Sequence, residues 1–185
     1  MEDSKIIELY LERNESAISA TQEKYGKYLS KIAYNILDDV EDSRESVSDT
    51  YLRAWYSIPP HKPVHLSAFL AKITRQISID IYRKRTSKKR SGSEYALSLE
   101  ELFDCASPDG NPEKEIDATE LSKAISSFVS SLPRETANIF ICRYFYFDSI
   151  RDIATYTGSS ESKIKSILYR TRLELKNYLE KEELI

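Results

Sequence analysis

Glycine is scarce: the chain has only 4 in 185 residues, where average usage would supply about 13. Two of them, Gly92 and Gly110, fall in a single polar stretch. Glycine-rich phosphate loops, tight β-hairpins and doubly wound α/β sheets are therefore not expected. Cysteine is equally sparse. Cys105 and Cys142 form no CxxC pair and cannot build a disulfide framework, which suits a reducing cytoplasm. The two histidines, His61 and His65, have an i, i+4 spacing, but Pro63 lies between them and no nearby acid completes a set. They read as loop residues, and no metal or other cofactor is expected. No apolar run approaches the ~18 residues of a membrane span, and the N-terminus MEDSKIIELYLERNE is acidic and amphipathic. Neither an export signal nor membrane insertion is expected. No nucleophile elbow, phosphate loop or catalytic carboxylate pair can be identified, so the chain is not expected to be an enzyme.

What is present is ample apolar material, 41% hydrophobic against 31% charged residues. That is enough for one medium domain or two small ones. The net charge of -3 hides a segregation. Basic residues occupy 83, 84, 85, 88, 89 and 90 without an acid, whereas Lys114 is the lone base between Glu94 and Glu120. The chain is basic and acidic in blocks.

Hydrophobic periodicity predicts helices throughout. A short one runs from Lys5 to about Asn14, and a longer one from Ser16 to Leu37 carries Tyr25, Leu29, Ile32, Ala33, Ile36 and Leu37. After an Asp38-Asp39 cap, Val40 to Ser57 sets Val40, Val47, Tyr51, Ala54 and Ile58 on one side and Asp42, Glu45 and Asp49 on the other. Pro59-Pro60-His61-Lys62-Pro63 must be a stiff loop. The next helix, from about Ser67 to Arg85, buries Leu66, Phe69, Leu70, Ile73, Ile77 and Ile81 and turns Lys72, Arg75, Gln76 and Arg83 away. Residues 86–111 read as a linker, with a weak apolar patch from Tyr95 to Phe103. Pro112 then opens a helix to Leu132, Pro133 another to about Tyr146, and two more cover Ser149 to Thr157 and Ser160 to about Glu180. The expected fold class is all-α: domains at 1–90 and 112–185 joined by a flexible acidic linker at 91–111.

The last two helices have the form of a helix-turn-helix. Ile150, Ile153 and Ala154 face inward, Gly158 stands where positive φ is wanted, Ser160 can cap, and Ile164 and Leu168 lock the pair. The remaining surface offers Ser160, Ser162, Lys163, Lys165, Ser166, Tyr169, Arg170 and Arg172. Such a helix suits the major groove, early residues to base edges and later cations to phosphates. The cations of the Ser67–Arg85 helix have aromatic neighbours, Tyr28, Tyr34, Trp55, Tyr56 and Tyr82, a combination suited to unpaired bases. Tyr34 and Tyr51 read as core; Trp55 reads as core or as a base contact. Cys142, inside an apolar run, reads as core.

In this order the segments resemble the extracytoplasmic-function (ECF) sigma factors of bacterial RNA polymerase. Asp42 to Trp55 is similar to the family's core-binding helix, Leu66 to Arg85 to its promoter-melting helix, and Leu132-Pro-Arg-Glu-Thr with Arg143-Tyr-Phe and the helix-turn-helix to its C-terminal domain. The resemblance implies that Asp42, Glu45, Asp49 and Arg53 dock on the polymerase core, at the clamp helices of its largest subunit, with the flap as a second contact. It implies that His61, Lys62, His65, Lys72, Arg75, Gln76 and Arg83 hold the melted non-template strand of the minus-ten element. The surface from Ser160 to Arg172 would read the minus-thirty-five element as duplex. The acidic linker would thread the nucleic-acid channel, and an anti-sigma factor is a further implied partner. Three positions depart from the family pattern: Ser48 for glutamine, Gln76 for asparagine, and Ile167 where a base is common, which shifts readout toward Lys163, Lys165 and Ser166. The alternative is a stand-alone helix-turn-helix regulator whose N-terminal helices sense or dimerise.

Overall fold

The computed structural model describes residues 1–86, 93–103 and 118–184, and all the regular structure among them is helical. The basic residues 88–90, residues 91, 92 and 104–111 of the expected linker, Cys105 among them, and the helix start at Pro112 lie outside the described residues. The chain divides into two compact units, Met1–Glu94 and Tyr95–Ile185.

The first unit holds α1 (Asp3–Leu11), α2 (Ser16–Leu37), α3 (Val40–Ser57) and α4 (Leu66–Thr86). Helices α2, α3 and α4 pack on one another, and α1 lies against α2. Leu29, Ile36, Leu66 and Leu70 are fully buried, each stabilising the core by about 1.5–3 kcal/mol. Between α3 and α4 the packing is polar and small. Ser46 pairs with Ser78 at 2.7 Å and Thr50 with Thr74 at 2.9 Å, while Thr50 and Thr74 also donate to the carbonyls of Ser46 and Leu70 in their own helices. Short side chains let the two backbones approach, and each buried hydroxyl is satisfied. The Asp38-Asp39 step works as the sequence predicts. Asp38 takes φ 49° to end α2, and the Asp39 carboxylate accepts the Glu41 and Asp42 amides at 3.0 Å, a cap of about 1 kcal/mol.

The second unit holds α5 (Glu94–Phe103, beginning at the boundary), α6 (Ala118–Ser131), α7 (Arg134–Tyr144), α8 (Ile150–Thr157) and α9 (Glu161–Lys181). Ile139, Ile153, Ala154, Ile164 and Leu168 form one core, with Cys142 half-buried against it. Phe128, Phe140, Leu175 and Leu179 form the other.

The main correction concerns the linker. Residues 94–103 were expected to be part of a flexible strap, yet they form α5, with Tyr95 and Ser98 buried. Tyr95 meets Phe147 edge to face, ring centroids 5.0 Å apart. Ten residues with two buried side chains, Tyr95 and Ser98, cannot make a domain alone, but they can finish one. Two smaller expectations also change. Tyr34 is 47% exposed rather than core, and Val40, one residue past the Asp39 cap, is 54% exposed. Tyr51 is buried as expected.

Candidate nucleic-acid interface

In the first unit, α3 carries Glu45, Asp49 and Arg53 on its exposed side. Leu52 and Tyr56, 52% and 69% exposed, share that side, and with Asp49, Arg53, Ser57 and Ile77 they line a shallow depression. An apolar patch edged by charge suits a protein partner better than water. The sequence reading overlooked Leu52 and gave Tyr56 to nucleic acid. The signal was their i, i+4 spacing off the apolar stripe. Asp42 stands apart, because its carboxylate is half-buried and paired with Arg85 in the last turn of α4.

The helix α4 presents Lys72, Gln76 and Arg83 along one exposed line, and His61, Lys62 and His65 are exposed in the loop before it. Arg75 is half-buried. Trp55 is held from inside the unit. Tyr10 packs on it at a centroid distance of 6.2 Å, and Arg13 lies 5.4 Å above its ring while donating to its carbonyl at 2.5 Å. Of the two readings of Trp55, this packing supports core.

In the second unit the helix-turn-helix is built as its residues predict. Ser149 accepts the Asp152 amide at 3.0 Å, Gly158 adopts φ 64°, and Ser160 accepts the Lys163 amide at 3.2 Å. Ala154 at the crossing is buried. Ser160, Ser162, Lys163, Lys165, Ser166, Tyr169 and Arg170 are all exposed on α9 or its cap. Lys163 lies 3.6 Å from Glu135 in an exposed pair, too solvated to hold it from another anion. Ile167 turns half inward against the core.

Arg172 is the exception. It is only 12% exposed and donates to the Tyr144 hydroxyl at 2.7 Å and to Glu101 at 3.4 Å. The same Glu101 carboxylate accepts Arg143 through Nε at 3.2 Å and Nη2 at 2.7 Å, and Tyr144 through its hydroxyl at 2.9 Å. Arg143 is 2% exposed and also donates to the Asp148 carbonyl at 2.9 Å. A charge so buried needs a full set of partners, and α5 supplies one of them. Burial chiefly, with the Glu101 charge adding, raises the Tyr144 hydroxyl far above its ordinary value, against the opposing pull of Arg172. That hydroxyl stays protonated and keeps its proton for Glu101. The network was not legible beforehand, since Glu101 lay in the presumed strap.

Residues 22–88 match the Sigma-70 region 2 family. Over these residues the chain is similar to region 2 of sigma-70 factors. It is 25% identical over 171 residues to the "Probable RNA polymerase sigma factor RfaY" of Xanthomonas campestris pv. campestris, covering 88% of this chain and 42% of that protein. It is also 25% identical over 153 residues to the "ECF RNA polymerase sigma factor SigE" of Mycolicibacterium smegmatis, covering 82% and 57%. The chain thus spans about half the length of these curated relatives. The solved structure of CnrH in complex with the cytosolic domain of CnrY aligns with 96% of this chain and 97% of its own, at 19% identity and a TM-score of 0.45. The match takes in most of α2 and all of α3 and α4, so the charged side of α3 and the exposed line of α4 both fall within it. Among the described residues no group of three or more His, Cys, Asp or Glu side chains could hold a metal, and no helix is long and apolar enough to cross a membrane.

Proposed function

We propose that this chain directs core RNA polymerase to particular promoters and helps open the duplex, without itself catalysing a reaction. The observation that carries the reading is a region 2 unit followed, in one chain, by a helix-turn-helix whose outer face is basic. Within it, Glu45, Asp49 and Arg53 with Leu52 and Tyr56 dock on the clamp helices of the largest subunit, and the second unit lies near the flap. Lys72, Gln76 and Arg83, with the loop residues His61, Lys62 and His65, hold the unpaired non-template strand. Capture of unstacked bases, at about 1–3 kcal/mol each, offsets a melting cost of a few kcal/mol per step. Lys163, Lys165, Ser166, Tyr169 and Arg170 meet the upstream element as duplex. The site of action is the cytoplasm, where the polymerase works, and these same faces are what an anti-sigma partner would have to cover.

The test is run-off transcription with purified core enzyme on a genomic library. Defined start sites that depend on the added chain are expected. If the chain instead binds a palindromic operator tightly and added polymerase changes nothing, the stand-alone regulator is the correct reading, although the region 2 match does not favour it.

A further inference from the structure

The second unit contains a carboxylate clamp. Arg143, Arg172 and the Tyr144 hydroxyl converge on one acidic side chain, Glu101 of α5. Two of these groups sit on α7, and the third, Arg172, sits on the helix whose outer face meets DNA in the reading above. Lys165, Tyr169 and Arg172 fall at i, i+4 and i+7 on α9, so Arg172 stands at the edge of that face. Its guanidinium carbon lies 5.9 Å from the Tyr169 ring. A carboxylate and a phosphate present the same planar pair of acceptors to arginine, and arginine binds either one bidentately.

We propose that α5 is a detachable latch: its Glu101 carboxylate and a DNA phosphate compete for Arg172, so duplex binding by α9 releases α5 and release of α5 strengthens duplex binding. The attachment suits exchange. Helices α7, α8 and α9 pack helix against helix, whereas α5 is anchored by long side chains, Tyr95 on Phe147 and Glu101 in the clamp. Departure of α5 would not leave Arg143 charged inside an apolar cavity, because the group that covers its guanidinium leaves with the helix and water takes its place. Its bond to the Asp148 carbonyl stays. With α5 latched, one cation of α9 is neutralised by the chain itself. With α5 released, the basic face gains that cation.

The idea rests on the proposed DNA-binding role of α9, and the experiment separates the two. Hydrogen exchange of residues 94–103 is followed in the full chain, as wild type, Glu101→Gln and Arg172→Gln. In the free protein both variants should exchange this segment roughly tenfold faster while α2 to α4 stay unchanged; wild-type protection in both would overturn the latch. Should Glu101→Gln not fold, Arg172→Gln opens the clamp from the other side. A duplex oligonucleotide is then added at low salt. Exchange of 94–103 in the wild type should rise. The log–log salt slope of binding should steepen by about 0.9 in Glu101→Gln, as expected for one added phosphate contact, and the gain should vanish in the double variant. Duplex bound with 94–103 still protected overturns the competition while sparing the DNA reading. Failure of every form to bind duplex overturns the DNA reading of α9 and the competition with it.

Discussion

The Asp42 carboxylate, in the first turn of α3, is paired with the Arg85 guanidinium in the last turn of α4, and Asp39 lies 3.9 Å from the same guanidinium. The acidic stripe of α3 therefore divides: Asp42 closes the end of its own unit, while Glu45 and Asp49 face outward. Asp49→Lys should weaken co-purification with core polymerase by tenfold or more and leave the melting temperature unchanged. Asp42→Asn should do the reverse, with polymerase binding near normal and stability lower by about 0.5 kcal/mol, because the pair is largely solvated. Thermal melts beside pull-downs check both.

The hydroxyl ladder between α3 and α4 responds to size as well as polarity. Thr50→Val removes the partner of Thr74 at constant volume and should lower urea stability by about 1 kcal/mol. Ser46→Leu must push the two helices apart at a fully buried position and should cost about 2 kcal/mol or more. Equal midpoints for the two variants would mean that the helices can separate freely.

Gly158 stands at φ 64°, and an added Cβ would meet nothing within 4 Å. Gly158→Ala should therefore cost only the backbone penalty of the left-handed region, about 1 kcal/mol. Gly158→Asn should recover part of it. A larger loss in the melting temperature of Gly158→Ala would point to a contact this geometry does not contain.

The two cations Lys165 and Arg172 lie on one helix but do different things. Lys165→Ala should leave thermal stability unchanged and reduce the salt slope of duplex binding by about 1. Arg172→Ala should lower the melting temperature, because Tyr144 and Glu101 lose a partner. Transcription assays on promoters that need the upstream element should respond to Lys165→Ala.

Asp3 gives a pH-dependent contribution. Burial pushes its pKa upward, but hydrogen bonds from Lys24 and Tyr25, with the Lys24 charge, outweigh this and hold it below the ordinary 3.8. A depressed carboxylate pKa contributes stability that is present above the unfolded value and lost as pH falls through the folded one. Wild type should exceed Asp3→Asn in stability near neutrality, and the gap should close as pH drops below about 3.8. A gap that persists at lower pH would mean the contact acts through shape, not charge.

Periodicity made the helices legible. Ser16–Leu37, Val40–Ser57 and the capped helix-turn-helix stand where i, i+3 and i+4 spacing and the Asp39, Ser149, Gly158 and Ser160 caps put them. Such signals act within a few residues along the chain, so they survive without any knowledge of the fold. The apolar stripe of α3 was visible in the same way, and so was its charged side.

The commitment of Arg172 was not visible, because it depends on Glu101 and Tyr144, distant in sequence. So does α5: ten residues around Tyr95 and Glu101 carry too little apolar surface to announce a packed helix, and only Phe147, Arg143 and Arg172 make one of them. Local order on this chain was set by residue type and spacing alone. Which charges face a partner and which hold the protein itself together was decided by tertiary contact, since a guanidinium looks the same in sequence whether its nearest carboxylate is absent or three ångströms away.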